Sequence, residues 1–280
     1  MAVALGVLVA IAFGSGDFVG GRASMAATTP GVLLVSQCCA ALGAVVIALA
    51  VGSHVAAADL VYGVFAGAVN VVGLGLLYRG LASAAMSVVA PVTAVVASMV
   101  PIAWGLFRGE RPSTLVLVGI ALEVGAAALI AKTPGQRHEG AVGEGVLIAV
   151  LAGCALGSSL VLYAQTSTES GFWPVLTARI TAAVLVIALV LWLRRSREVR
   201  VPVGPARNLA VAAGVLDLAA ASLLLVALRE GLIVVVAPLA TLAPGFTVVL
   251  AWLVLGERLS ATQRVGLLTA LAGLVLVSSG

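Results

Sequence analysis

Residues 231–258 read GLIVVVAPLATLAPGFTVVLAWLVLGER, and residues 84–111 read AAMSVVAPVTAVVASMVPIAWGLFRGER. Laid on one another they share Val-Val-Ala-Pro, at Val88–Pro91 and Val235–Pro238, and Gly-Glu-Arg, at Gly109–Arg111 and Gly256–Arg258. The same register carries outward. Ser113 falls on Ser260, Gly67 on Gly214, Leu81 on Leu228 and Gly119 on Gly266, while a slightly shorter register brings Gly14-Ser15 onto Gly157-Ser158. Self-similarity over this length makes the chain two related halves. Each opening stretch is also apolar over roughly 20 residues, enough for a helix to cross about 30 Å of hydrocarbon.

Comparable runs recur from end to end, near residues 3–21, 31–51, 60–78, 84–107, 114–131, 144–163, 173–193, 208–228, 231–255 and 262–279. They are continuously apolar rather than alternating, which argues against the strands of an outer-membrane barrel. The expected fold is an all-α integral membrane protein of ten transmembrane helices, arranged as two inverted five-helix repeats. The first repeat is residues 1–131, a polar linker follows at 132–143, and the second repeat is 144–280. Inversion follows from the odd number: five crossings leave the chain on the far side, so the second copy enters from there. Inverted repeats place a binding site at their interface near the midplane and permit alternating access.

Composition agrees. Hydrophobic residues make up 62% of the chain and charged ones 9%, against about 25% charged in a soluble domain. The 32 glycines and the 5% aromatic share suit helices that approach closely through small residues. A net charge of +4 comes without a basic stripe interleaved with aromatics, so no nucleic-acid partner is expected. Cys38, Cys39 and Cys154 lie inside apolar runs without metal-ligand spacing, and neither a metal nor a cofactor is expected. The first run has no Lys or Arg before it and contains Asp17, which reads poorly as a secretory signal.

A charge at a helix centre in hydrocarbon costs about 2.5–3.5 kcal/mol on insertion scales, so Asp17, Glu123, Arg179 and Asp217 are expected to face the interior and to contribute to a substrate site. Asp217 lies mid-span at the repeat position of Asn70, placing a polar group at matching depth in both halves; this pair is the first candidate for lining a cavity. Such an Asp can bind a cation, carry a coupling proton or pair with Arg179. Arg179 can instead hold a substrate carboxylate in a bidentate fork. Asp17 and Glu123 read as nearer the ends of their spans. Pro91 and Pro101 are expected to interrupt the fourth span, and Pro238 and Pro244 the ninth; interruptions at matching places mark a binding site. Trp104 reads as an interfacial anchor able to reach the cavity. Gly109 and Gly256 suit left-handed helix caps, which leaves Glu110 and Glu257 as structural charges in the headgroup zone.

Together with Ala12-Phe13-Gly14-Ser15-Gly16-Asp17-Phe18 in the first span, these features resemble the EamA family, the ten-span branch of the drug/metabolite transporter superfamily. The resemblance covers essentially the whole chain. It implies a secondary transporter, an exporter of small metabolites such as amino acids, lying multi-pass in the cell's inner (plasma) membrane. Its partners would be a small-molecule substrate and the lipid bilayer. Two halves in one chain would let a monomer suffice, with a dimer also open. Many relatives carry an Arg in the second span, where this chain has Gln37; Arg179 occupies the corresponding region of the second half.

Two other readings use the same helices. A passive channel or lipid scramblase needs no further motif. An intramembrane aspartyl protease would use Asp17, in the GxGD string Gly14-Ser15-Gly16-Asp17, with Asp217 as the second carboxylate. No HExxH, GxSxG or phosphate-binding loop occurs, so an enzyme is not expected and transport would run on gradients. Of the fifteen Lys and Arg, eleven lie in loops opposite the termini and three on the termini side. The positive-inside rule then puts both termini outside, whereas the resemblance implies cytoplasmic termini.

Overall fold

Each apolar run becomes helix in the computed structural model, which describes residues 1–51, 55–81, 86–130, 142–193, 199–255 and 260–279. The elements are α1 (Ala2–Ala26), α2 (Thr29–Val51), α3 (Ala57–Leu81), α4 (Met86–Phe107), α5 (Thr114–Ile130), α6 (Val142–Ala164), α7 (Trp173–Leu193), α8 (Gly204–Glu230), α9 (Ile233–Ala240), α10 (Ala243–Leu255) and α11 (Ala261–Ser279). With α9 and α10 forming one broken span, this is the expected all-α membrane fold of ten spans. The lipid side is lined by exposed apolar residues such as Leu42, Leu49, Leu191, Val254 and Leu268. Most of the linker expected at 132–143 lies outside the described residues, and α6 begins within it, at Val142.

Matched interruptions were expected in the fourth and ninth spans, and only the ninth is broken. Helix α4 runs without a break past Pro91 and Pro101, whereas the ninth span stops at Ala240 and restarts at Ala243. Each proline removes one backbone donor. Pro238 and Pro244 delete two ladder bonds within less than two turns, while Pro91 and Pro101 are spread over nearly three. At the break the Thr241 N–H bonds the Ala237 carbonyl at 3.0 Å, and the Thr241 hydroxyl bonds the Pro238 carbonyl at 2.8 Å. Ser98 of α4 meets the same hydroxyl.

Glycines set the helix contacts. A Cβ on Gly67 would lie 2.2 Å from the Ala178 carbonyl oxygen, and one on Gly214 would lie 2.2 Å from that of Ser36. Helix α3 thus seats on α7 and α8 on α2. Likewise Gly14 of α1 abuts Ala243 of α10, and Gly157 of α6 abuts Ala97 of α4. Helix α1 also packs on α8 and α6 on α3, and the pairs α2–α7, α4–α9 and α5–α11 close the set. Exchanging the two halves maps these pairings onto one another.

Helix ends follow local chemistry. Ser260 and Gln263 form a reciprocal capping box at α11, the Ser260 N–H meeting Gln263 Oε1 at 3.0 Å and the Gln263 N–H meeting Ser260 Oγ at 3.2 Å. Gly109 takes φ +92, the left-handed cap expected after α4. Glu110 departs from its expected role as a headgroup-zone charge: its carboxylate crosses to the other half and caps α9.

Candidate functional site

Arg179 lies on the seventh residue of α7 and Gln37 on the ninth of α2. Each follows the residue, Ala178 or Ser36, on which a glycine of the neighbouring helix seats. About one turn beyond those glycines come Asn70 on α3 and Asp217 midway along α8. The small-residue contacts that pack the spans therefore also set the depth at which Asp217 meets Gln37 and Arg179, and Asn70 takes the repeat-related position on α3. Asn70 is half-buried.

At the centre Arg179 forms an ion pair with Asp217. The Gln37 amide donates Nε2–H to Asp217 Oδ2 at 3.1 Å, and its Oε1 lies 3.5 Å from Arg179 Nη1. Arg179 is 3% exposed and Asp217 18%, so the guanidinium is sealed while the carboxylate keeps an accessible edge. Two charges taken out of water need good geometry and added hydrogen bonds to offset desolvation, and Gln37 supplies one such bond. Arg179 Nε–H is buried without a partner among the described residues, leaving a charged donor unused.

Asp17 joins from α1. A Cβ on the preceding Gly16 would lie 3.4 Å from Leu216 Cβ and 3.8 Å from the Asp217 backbone nitrogen, and the two carboxylates are within electrostatic range. Because α1 extends to Ala26, Asp17 sits well inside its helix rather than near the end. The cluster thus holds one cation and two carboxylates. Tyr163 of α6 completes it: the side chain is buried and its hydroxyl lies against the Arg179 guanidinium. The sequence reading missed Tyr163. Its one signal was a polar hydroxyl near the end of an otherwise apolar run.

Other candidates go elsewhere. Glu123 is mid-helix on α5, not near its end, and faces α11. Trp104 sits in the last turn of α4 with Arg108 6.0 Å over its ring, an edge position. Pro238 is buried inside α9 just before the break. The side chain of Pro91 lies outside the described residues.

Residues 143–279 match the model of the EamA-like transporter family. The match places the chain with the EamA-like transporters through its second half. As an EamA-like transporter it is a multi-pass membrane protein of the drug/metabolite type, with the bilayer and a small-molecule substrate as partners. A solved structure titled "Crystal structure of protein" is similar over 99% of this chain and 96% of its own, with a TM-score of 0.75 at 15% identity, a likeness of fold alone. No curated protein matches the sequence.

Proposed function

We propose that this EamA-like transporter is a secondary carrier that exports small zwitterionic metabolites, amino acids being the model class, through the inner (plasma) membrane by alternating access between two inverted halves. One observation carries the reading: a buried cation, Arg179, and two carboxylates, Asp217 and Asp17, meet between helices of both halves. A zwitterion matches this set. Its ammonium suits the accessible carboxylate edge of Asp217, with the Asp17 carboxyl alongside, and its carboxylate suits the unused Arg179 Nε–H once the two halves rock apart and open the sealed guanidinium. Tyr163 adds a neutral polar group beside Arg179, and Asn70 is a polar group at matching depth in the first half. The broken ninth span, beside α1 and α4, supports a site at that depth, because unwound backbone in a membrane is tolerated where it lines a cavity or is covered by protein.

The protease reading fits less well. Two carboxylates sharing a proton need to be free of a counter-ion, and Asp217 is already paired with Arg179. The excess of Lys and Arg opposite the termini supports both termini lying outside; a tag at Gly280 should then be cleaved by protease added to intact cells, and protection would place it inside.

The direct test is counterflow of labelled amino acids and metabolites in proteoliposomes, with and without a pH gradient, for the wild type and Asp217→Asn. Saturable counterflow of one solute class, strongly reduced in the variant, supports the carrier. Flux without counterflow from folded protein would move the reading to a channel or scramblase.

A further inference from the structure

The central cluster leaves one buried acid unused. Glu123 on α5 is 1% exposed, and neither carboxyl oxygen has a hydrogen-bond partner among the described residues. Helix α5 packs chiefly on α4, α9, α10 and α11. Over their described lengths α4, α9 and α10 carry no titratable side chain, and α11 carries only Arg264. Arg264 is exposed and stands nine residues, about 13 Å along the helix, from Gly273, the residue against which Glu123 packs. Arg108, Glu110 and Arg111 lie in the turn before α5, 12 to 15 residues ahead of Glu123 in the chain.

The contact is close. A Cβ on Gly273 would lie 2.8 Å from Glu123 Cγ, and one on Gly119 would lie 2.8 Å from Val277 Cγ2. With the helices this near, no cationic side chain fits between them. An ion stripped of partners and water is far more costly in such a place than a neutral polar group. Nor does the packing need an acid here, because the repeat counterpart of Glu123 on α11 is Ala270.

We propose that Glu123 is a proton-binding site separate from the substrate cluster: its carboxyl is carried as the neutral acid within the α5–α11 contact, and its ionisation parts the two helices. Proton release is then coupled to movement of the fifth span of each half. The inference does not depend on which solute the central cluster takes.

The test is infrared difference spectroscopy of wild type against Glu123→Gln in lipid, combined with the distance between spin labels at Leu117 and Val275, which are exposed on the outer faces of α5 and α11. At neutral pH the wild type should show a carboxylic-acid C=O band that shifts in D2O and is missing from the variant. Raising the pH should remove the band and lengthen the label distance together, while the variant's distance stays fixed. If Glu123→Gln does not fold, Glu123→Ala, which copies Ala270, takes its place. A carboxylate band at neutral pH would overturn the proposal. So would an acid band that titrates without a change in distance, or one that survives to the alkaline limit of the folded protein.

Discussion

The carboxylate of Glu110, in the first half, accepts the backbone N–H of Ile233, the first residue of α9 in the second half, at 3.1 Å; its other oxygen accepts that of Val234 at 3.0 Å. Leu232 at the N-cap has no side-chain acceptor, so the cap of this short helix comes from the other half. The acid satisfies two orphan donors and places negative charge at the positive end of the helix. It also ties the end of α4 to the start of the broken span.

Removing that cap should loosen the tie. Glu110→Ala is expected to lower stability by about 1–2 kcal/mol, and Glu110→Gln, which keeps one acceptor, by less. Gly105→Ala should mimic Glu110→Ala, because its Cβ would lie 2.6 Å from Glu110 Oε2 and 2.4 Å from Val234 Cγ2. Thermal unfolding in detergent reads all three; wild-type stability throughout would mean that the cap holds nothing.

Arg179 and Asp217 can be separated into structural and functional parts. Arg179→Met or Asp217→Leu alone leaves an uncompensated buried charge and should cost about 3–5 kcal/mol. The double variant should recover most of that stability yet remain without counterflow. A double variant that regained transport would reduce the pair to a scaffold element.

The seat of α8 on α2 sets where Asp217 lies. Gly214→Ala drives a Cβ to 2.2 Å from the Ser36 carbonyl oxygen, a backbone atom that moves only with its helix. The expected loss is about 1–3 kcal/mol, with reduced counterflow; Gly67→Ala should act likewise against Ala178. Gly75→Ala and Gly125→Ala, where nothing lies within 4 Å, are controls that should leave transport intact. Equal effects at all four sites would refute the seating argument.

Asp59 holds the connection between α6 and α7. It accepts from the Ser167 N–H at 3.0 Å and from the Ser167 and Ser170 hydroxyls at 2.6 Å, while Arg229 Nη2 bonds the Ser167 and Gly171 carbonyls at 2.8 Å. Hydrogen bonds to a charged group contribute about 1.5–3 kcal/mol each. Asp59→Asn should therefore raise local opening at least about tenfold, seen as faster proteolysis within residues 165–172. Unchanged cleavage would show that the clamp is held by something else.

The spans were legible because hydrocarbon rewards long apolar runs directly: the reading at 173–193 coincides with α7, and that at 31–51 falls two residues short of the start of α2. Errors arose where polar residues continue a helix beyond its apolar part, as in Arg22 to Ala26 of α1, which is why Asp17 was placed too near an end. That Asn70 and Asp217 hold equivalent positions, each a turn beyond a seating glycine, was visible through the repeat. Tyr163 was not, since its importance depends on which helix it faces. Proline content alone likewise could not say that the ninth span breaks and the fourth does not.

The sequence by itself determined that the chain crosses a membrane ten times and consists of two related halves, because both properties reside in hydropathy and self-similarity along one dimension. Tertiary structure alone decided that Arg179 meets Asp217 and Gln37, that Glu110 caps a helix of the opposite half, and that Glu123 is sealed against α11. Each of these depends on two backbones approaching within van der Waals contact at a glycine. Such an approach fixes depth and rotation at once, and helical periodicity within one span carries no information about the neighbour it meets.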